Sequence, residues 1–414
     1  MALSLSSRSR LTLAIAVGTL VLTACGGGSS ATKAQGGGSH GLTGTPIKIG
    51  NVVDLTGPVP GLFKGAREAV EAYVEKINSS GGLNGHPVEL VTGDSQISCN
   101  GAVSAWGTVM PQVQAMVGSI SALDGCLAPV LEKNGKIPAV FQILNPVLSG
   151  ILNTFAPSPR PLGQSIGAYR YIDKLHPGAI KKLGVIVNEQ TSFSTTELLA
   201  GLKKLGGEVA YTHTTNVAKQ TDYTADIIKM RANGVRWLTL DGSDIATINR
   251  ILSAAKQQNW RPEVITSAPA YDGNFPKLAD PAAVEGVYVP LATAFFLGGD
   301  KASSPGVAEY LEWLGKVHPG SKPDLFGANA WAAAELWYQA WQKAGGAKTP
   351  DDVRFAMSTI QTFDAKGLLA PASPTSRSPQ VCWLVGQIKN NAFVRIEPAD
   401  KGFSCEGAEF VPLA

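Results

Sequence analysis

The stretch PIKIGNVVDLTGPVPGLFKGAREAVEAYVEKINSSGGLNGHPVELVTGD, residues 46–94, contains the pattern that decides the fold. Ile47–Val53 is a short apolar run rich in β-branched residues, which predicts a buried strand. Apolar residues recur at helical spacing over residues 66–77, and a second strand is predicted at 88–91. This is a βαβ unit, and ligands of such sheets bind at the carboxyl ends of the strands. We therefore expect a binding site at the loop 54–63.

Strands and helices continue to alternate along the chain. Further strands are predicted at 115–117, 138–141, 183–187, 207–213, 237–240, 263–266 and 284–291. Helices are predicted at 99–110, 127–134, 195–205, 223–233, 245–258, 307–316, 326–343 and 350–359, and a terminal hairpin at 381–385 and 393–396. This alternation predicts an α/β protein with two doubly wound Rossmann-like lobes. Trp331, Trp337 and Trp341 lie at a spacing more typical of core than of a binding surface.

The N-terminal residues indicate export. Arg8 and Arg10 precede a short apolar run, and Leu22-Thr23-Ala24-Cys25 resembles a bacterial lipobox. Residues 1–24 are therefore predicted to be a lipoprotein signal peptide, with Cys25 lipidated. Residues 25–45, rich in glycine and serine, are predicted to be a flexible tether. The alternative is an ordinary secretory signal with an incidental cysteine. Either leader places the protein outside the cytoplasmic membrane, and lipidation would hold it on the extracytoplasmic face.

Length and charge narrow the function classes. A chain of 414 residues exceeds what one compact core usually holds, so two domains are expected. The formal net charge is +3, and Arg8 and Arg10 contribute two of those charges. The remaining chain is nearly neutral and lacks the basic footprint of a nucleic-acid-binding protein.

Four cysteines remain after Cys25. An even number in an exported chain favours two disulfides. Of the three possible pairings we prefer Cys99–Cys126 and Cys382–Cys405, because each pair is local in sequence. Free buried thiols are the alternative.

We find no motif for catalysis, a cofactor or a metal. The sequence has no G-x-S-x-G elbow and no phosphate-binding Gly-Lys-Ser/Thr loop. Its five histidines show no metal-ligand spacing, and three of them precede proline or a Pro-Gly turn. We therefore expect a non-enzymatic protein without a cofactor or a metal.

An ordered set of motifs is similar to that of the periplasmic branched-chain amino-acid binding proteins, which are type I solute-binding proteins of ABC importers. The motifs are Leu55-Thr56-Gly57-Pro58, the glycine-rich turn 78–85, Asp94 ahead of a cysteine, Asp222-Tyr223 before a helix, and Gly234-Val235 before a strand. The resemblance covers residues 46–346. It implies two lobes joined by a three-strand hinge that close on a small solute.

The resemblance also places the lobe boundaries. The first lobe is expected to comprise residues 46–158 and 291–366, and the second lobe 162–288 and 376–398. Residues 399–414 are expected to form a C-terminal tail. The Pro-rich segment 155–161 and the Pro/Ser-rich segment 367–379 would be passages between the lobes.

In the family, the first lobe holds the ligand carboxylate. Ser119 or Ser121, in the loop after the third strand, and Asn145, in the loop after the fourth, are the matching candidates. A hydroxyl or amide beside free N–H groups at a helix start suits an anion. The alternative is that the serines only cap the helix that begins near Asp124.

In the second lobe the family presents an aromatic and an acidic residue to the ligand ammonium. The alignment places Ala270 where a glutamate is expected, so Asp272 or Asp244 would have to replace it. Without either, a neutral or acidic ligand becomes credible, because an unpaired buried ammonium is prohibitive. Tyr271 could supply an aromatic face and a hydroxyl. The alternative for Tyr271 and Asp272 is a structural turn.

Phe193 and Phe63 are the aromatic residues expected against the ligand. Both could equally pack within their lobes.

Three functions fit this sequence. The first is capture of an amino acid, amide or organic acid by a monomeric, lipid-anchored binding protein that delivers it to an ABC permease. The second is the same fold used as a ligand sensor that signals to a membrane partner. The third is a structural or adhesive lipoprotein that binds no small molecule. We favour the importer.

Overall fold

A five-stranded parallel sheet is built on the first predicted strand, β1 (Ile47–Val53). The computed structural model describes residues 40–159, 161–189, 192–216, 219–278, 280–346, 349–375, 379–405 and 409–413. The other strands of this sheet are β2 (Val88–Asp94), β3 (Ala115–Val117), β4 (Ala139–Val140) and β5 (Thr154–Phe155). The order β2-β1-β3-β4-β5 places β1 inside the sheet, with strands added in both directions. This is a doubly wound arrangement.

A seven-stranded sheet follows along the chain. Its strands are β7 (Leu183–Asn188), β8 (Val209–Thr215), β9 (Trp237–Leu240), β10 (Glu263–Thr266), β11 (Tyr288–Leu291), β12 (Leu384–Lys389) and β13 (Ala392–Glu397), in the order β13-β12-β11-β10-β9-β7-β8. The pairs from β8 to β11 are parallel, whereas β12 and β13 are antiparallel additions. The prediction of two doubly wound α/β lobes is confirmed. The lobe boundaries remain predictions.

Helices alternate with these strands. They are α1 (Lys64–Ser79), α2 (Cys99–Val109), α3 (Ala128–Lys133), α4 (Gly167–Leu175), α5 (Ser192–Lys204), α6 (Thr224–Ala232), α7 (Ile245–Gln257), α8 (Phe275–Leu278), α9 (Pro281–Val284), α10 (Pro305–Val317), α11 (Leu325–Lys343) and α12 (Pro350–Ser358). Among the residues described, no helix is both long and apolar enough to cross a bilayer.

Helix α11 packs against α1 of the first lobe. The rings of Tyr73 and Trp331 meet edge to face at 4.8 Å, and Phe63 and Phe326 do so at 4.7 Å. Trp331 is 1 % exposed, Trp337 is 0 % exposed and Trp341 is 5 % exposed, so the prediction that they are core is confirmed. The chain therefore returns to the first lobe after it has built most of the second sheet.

Both predicted disulfides are present. Cys99, at the start of α2, is bonded to Cys126 in the turn before α3. Cys382, just before β12, is bonded to Cys405. The leader, Cys25 and most of the predicted tether lie outside the described residues.

Three of the segments in which the structure differs from the sequence predictions lie in the last third of the chain. Residues 284–291 were predicted to be one strand, but α9 ends at Val284 and β11 begins only at Tyr288. Gly286, with φ +88°, turns the chain between them. The last hairpin is present, but β12 begins at Leu384, because Cys382 and Trp383 are held by the disulfide and by pairing with Ser404.

The third difference is a strand in the segment expected to be a tail. Strand β14 (Phe410–Pro412) pairs antiparallel with β6 (Gly163–Ser165), a strand that the sequence analysis also missed. Both strands are only three residues long, too short for a clear alternating pattern. Together they form a two-stranded sheet beside the passage from the first lobe to the second.

Candidate ligand-binding site

A cavity of about 800 Å³ opens where the strands of both sheets end. Its lining includes loops that follow β1, β4, β7, β9 and β10 at their carboxyl ends. It also includes residues of the two segments predicted to pass between the lobes, namely Ser158, Pro159, Pro161 and Pro379. We call this cavity the cleft. Its position agrees with the general rule for ligands of parallel α/β sheets, and its volume lies within the usual range for small-molecule sites.

The loop after β1 forms one wall of the cleft. The carboxylate of Asp94, at the end of β2, accepts hydrogen bonds from the backbone N–H of Leu55 (3.0 Å) and from Oγ1 of Thr56 (2.6 Å). These bonds hold the start of the loop, whose later residues, 59–63, line the cleft. Phe63 is a lining residue but is only 3 % exposed, because its ring packs on Phe326 of α11. The expectation of a site at this loop agrees with the geometry.

The second lobe contributes the loops after β7 and β9. Phe193 and Ser194, at the start of α5, line the cleft, and Ser194 donates to Oδ2 of Asp241 at 2.7 Å. Asp244 also lines it and caps α7, accepting from the backbone N–H (3.0 Å) and Oγ1 (2.7 Å) of Thr247. Both oxygens of Asp244 are thus used by the helix start.

Asp272 and Asp324 lie next to each other in the cleft wall. The backbone N–H of Gly273 donates to the carbonyl oxygen of Pro323 (3.0 Å), which joins the loop that follows β10 to the start of α11. Asp324 caps α11 by accepting from the N–H of Gly327 at 2.6 Å. Gly65 on α1 leaves room for it, since a Cβ there would lie 2.2 Å from Oδ2 of Asp324.

The pKa of the Asp324 carboxyl is raised to about 7, mainly by burial and also by the charges of Asp272 and Glu68, against two backbone N–H donors that lower it. Burial also raises the pKa of the Asp272 carboxyl. No Lys, Arg or His stands among the described residues that line the cleft. In this part of the wall, two carboxyl groups with raised pKa values line the cleft, and the described lining residues offer them no cationic side chain.

We expect the variant Asp324→Asn to be less sensitive to pH than the wild type. The folded-state pKa, about 7, exceeds the reference value of 3.8, so the folded wild type binds the extra proton and loses stability as pH rises from about 4 to 7. Asparagine is an equally good N-cap and has no charge to desolvate. At about 1.36 kcal/mol per pKa unit, the variant should be more stable at pH 8 by about 4 kcal/mol, and near pH 4 the difference should vanish. Urea unfolding at both pH values measures this; equal differences would contradict it.

Several residues that line the cleft carry a buried polar atom without a hydrogen-bond partner among the described residues. These atoms are Oε1 of Gln142, Oγ of Ser243, Oγ1 of Thr293, Oδ1 of Asn329, Nε2 of Gln380 and Nε1 of Trp383. Buried polar groups are nearly always paired in folded proteins. A group of unpaired ones around one cavity is typical of a site whose ligand supplies the partners.

The cleft brings together four of the eight predicted ligand residues: Phe63, Phe193, Asp244 and Asp272. Its described lining does not include Ser119, Ser121, Asn145 or Tyr271. Ser119 accepts from the backbone N–H of Val52 at 3.0 Å, and Asn145 caps a short 3₁₀ helix through the N–H of Val147 at 3.1 Å. Tyr271 is fully buried. The roles of all eight in binding stay predictions.

Sequence reasoning missed Asp324, Asn329, Gln380 and Trp383 as lining residues. Asp324 had a visible signal, a carboxylate directly before a strongly periodic helix, which is typical of a cap at a helix start. Gln380 and Trp383 gave no signal, because they follow a Pro/Ser-rich segment and reach the cleft only through the folding of the last passage.

Residues 46–392 match the family model of the periplasmic binding proteins, which is most of the chain. The chain belongs to the periplasmic binding protein family. This binding protein is 25 % identical over 360 residues to a Leu/Ile/Val-binding protein homologue of Brucella abortus, covering 83 % of this chain and 92 % of the relative. The family resemblance inferred from the sequence is thereby confirmed, and the family is one of ligand-binding proteins.

Solved structures share the fold of this binding protein. A fatty acid ABC transporter substrate-binding protein from Thermomonospora curvata is similar with a TM-score of 0.73 and 21 % identity, covering 89 % of this chain and 94 % of that one. A branched-chain amino acid transporter substrate-binding protein of Streptococcus pneumoniae, in complex with isoleucine, is similar with a TM-score of 0.68 and 17 % identity, covering 89 % and 99 %. At these identities the likeness concerns the fold alone.

Proposed function

We propose that this chain is the extracytoplasmic substrate-binding protein of an ABC importer, and that it captures a small organic solute in the cleft without altering it chemically. The observation that carries the proposal is the cleft itself: a cavity of about 800 Å³ at the carboxyl ends of two sheets, lined by residues that carry unpaired buried polar atoms. The names of the relatives support the same role, since they are binding proteins of ABC transporters or Leu/Ile/Val-binding homologues.

The capture step would be a closure of the two lobes on the solute. Residues from both lobes and from the passages between them line the cleft, so a solute that contacts all three is buried only when the lobes approach. The closed, loaded form would then dock on the permease as a monomer. The solute would pair with the unpaired acceptors and donors of the wall, so its binding would stabilise the closed form of the protein.

The proposed attachment to the membrane rests on the sequence. Lipidation of Cys25 would leave residues 26–45 as a glycine- and serine-rich tether before β1. Such a tether keeps the folded part near its permease and leaves it free to turn. Metabolic labelling with a fatty-acid analogue tests this, and a Cys25→Ser variant should take up no label and be released from the membrane fraction.

A solute bound in the cleft should raise the melting temperature, and a variant that fills the cleft should lose that rise. At a concentration of 100 times its dissociation constant, a solute adds about 2.7 kcal/mol of stability. We expect Ala246→Trp, at an exposed lining position, to abolish the rise. Ala282→Trp, at an exposed position on α9 that is not among the lining residues, is the matched control. The measurement is a thermal-shift screen over amino acids, amides, amines and organic acids.

The proposal fails if no solute in that screen shifts the wild type, or if both tryptophan variants respond to a solute alike. Small-angle scattering supplies a second readout, because closure of the lobes on a binding solute should reduce the radius of gyration. A solute that stabilises the protein without any compaction would contradict capture by closure.

A further inference from the structure

The loop after β3, where the family resemblance places a ligand carboxylate, is already occupied by a carboxylate of the chain. Asp54 is fully buried at the end of β1. One of its oxygens accepts from the backbone N–H of Ala122 at 2.7 Å, and the other from Oγ of Ser95 at 2.5 Å and the N–H of Ile97 at 3.0 Å. Oγ of Ser121 lies 3.3 Å from the same carboxylate. The donors that could hold a ligand anion here are used internally.

The loop after β4 is occupied in the same way. Asp124, 1 % exposed, accepts from the backbone N–H of Leu144 at 2.7 Å and from that of Asn145 at 3.0 Å. Leu144 lines the cleft, so its N–H is the type of donor that would otherwise meet an anion. In the first lobe, backbone N–H groups of both loops therefore donate to aspartates of the chain itself.

The wall that contains Asp272 and Asp324 differs from these loops, because it offers acceptors where the loops offer donors that are already used. Each carboxylate uses Oδ1 for a local backbone bond, to the N–H of Asn274 and of Gly327 respectively, both at 2.6 Å. The nearby Glu68 on α1 has its own partner, Lys64, at 2.6 Å. The hydrogen bonds described for Asp272 and Asp324 come from neutral N–H donors.

Asn329 adds an independent acceptor. It lies on α11 five residues after Asp324, lines the cleft and is 3 % exposed. Its Nδ2 donates back to the carbonyl oxygen of Leu325 at 3.0 Å, which leaves Oδ1 as the remaining amide atom. That oxygen has no partner among the described residues. An unpaired buried acceptor on a residue that lines the same cleft as the two carboxylates calls for a donor from the ligand.

We infer that the solute of this cleft is a small organic cation without a carboxylate, whose ammonium, amidinium or guanidinium nitrogen binds Asp272, Asp324 and Oδ1 of Asn329. The inference rests on the proposed function and narrows its solute class. Phe326, two residues after Asp324, also lines the cleft and is partly exposed, so the apolar body of the solute packs on an aromatic face and its cation gains from it.

Titration calorimetry at pH 8 on the full-length chain tests this with four probes that share one apolar body: 2-phenylethylammonium, 3-phenylpropanoate, 2-phenylethanol and phenylalanine. We expect the ammonium probe to bind at least about tenfold more tightly than each of the others, because a hydrogen bond to a charged group is worth more than a neutral one. The series hexylammonium, hexanoate, hexanol and norleucine repeats the comparison with an aliphatic body.

Two variants remove the charges and keep the local backbone bonds. Asp272→Asn and Asp324→Asn each retain an Oδ1 acceptor, and each should weaken the ammonium probes about tenfold or more without changing the affinity of the alcohols. Asp280→Asn is the matched control, since Asp280 caps α9 through the N–H of Ala282 and is not among the residues that line the cleft. Melting temperatures of all variants establish that they fold.

The outcomes distinguish the charge of the solute from the capture of a solute as such. Tighter binding of a carboxylate or of an amino acid than of the matching ammonium would overturn the cation inference and leave the capture of a solute intact. Failure of both ammonium probes to bind would also overturn it. If nothing in the wider thermal-shift screen binds, the proposed function itself fails.

Discussion

Replacing Tyr271 by alanine is expected to lower the free energy of unfolding by about 3–5 kcal/mol, the usual cost of deleting a buried aromatic ring. The ring is fully buried and packs against Phe295 (5.1 Å), Phe296 (4.6 Å) and Phe393 (4.9 Å between centroids). Its hydroxyl accepts from the backbone N–H of Leu297 at 2.7 Å. Tyr271 thus joins the segment after β11 to the last hairpin. Urea unfolding measures the loss.

A second variant, Tyr271→Phe, separates this packing role from the ligand contact that the sequence predicts. Tyr271→Phe keeps the ring contacts and leaves the N–H of Leu297 without its acceptor, so we expect a smaller loss of about 1–2 kcal/mol. Its affinity for a solute found in the screen should equal that of the wild type. A large loss of affinity in Tyr271→Phe, with stability unchanged, would instead place the hydroxyl on the ligand.

Replacing Arg395 by methionine is expected to cost about 3–5 kcal/mol, because it leaves the carboxylate of Asp300 buried without its cation. The two side chains are 8 % and 6 % exposed and form an ion pair between β13 and the segment that leads into α10. Arg395 also donates to the carbonyl oxygen of Gly402 at 3.0 Å, and Asp300 accepts from the backbone N–H of Phe295 at 2.6 Å.

A double variant makes the origin of that cost measurable. In Arg395→Met with Asp300→Asn, the amide oxygen can still accept from Phe295, and no unpaired charge remains. We expect the double variant to be more stable than Arg395→Met alone, so that the two changes are strongly non-additive. Costs that simply add in urea unfolding would mean that the buried charge is not the source of the loss.

The parts of the fold predicted well from the sequence are those with strong local patterns. Strands Ile47–Val53, Ala115–Val117, Trp237–Leu240 and Glu263–Thr266 have the bounds that their apolar runs indicate. Helix α4 was missed because no capping residue marks its start after the Pro-rich passage. The short strands β6 and β14 depend on each other, across about 245 residues of chain, and neither has a pattern of its own.

The site was less predictable. The ends of the strands indicate where a ligand binds, but they do not indicate which side chains there are free of internal hydrogen bonds and can contact it. Ser121 and the N–H of Ala122 stand where an anion would be held, yet Asp54, 67 and 68 residues earlier, already takes them. Conversely, Asp324 reaches the cleft only because Gly273 and Pro323 bring two distant loops together. Such assignments depend on contacts between segments remote in sequence, which a local pattern does not contain.

The pairing of β14 with β6 makes residues 410–412 part of the cleft wall. Phe410 lines the cleft, and its neighbour Glu409 forms an ion pair with Arg170 on α4. Trimming the chain to residue 405 would keep both sheets and both disulfides but would expose Gly163–Ser165 and open one side of the cleft. A shortened preparation made for crystallisation or biosensing would therefore remain folded while reporting the wrong affinity.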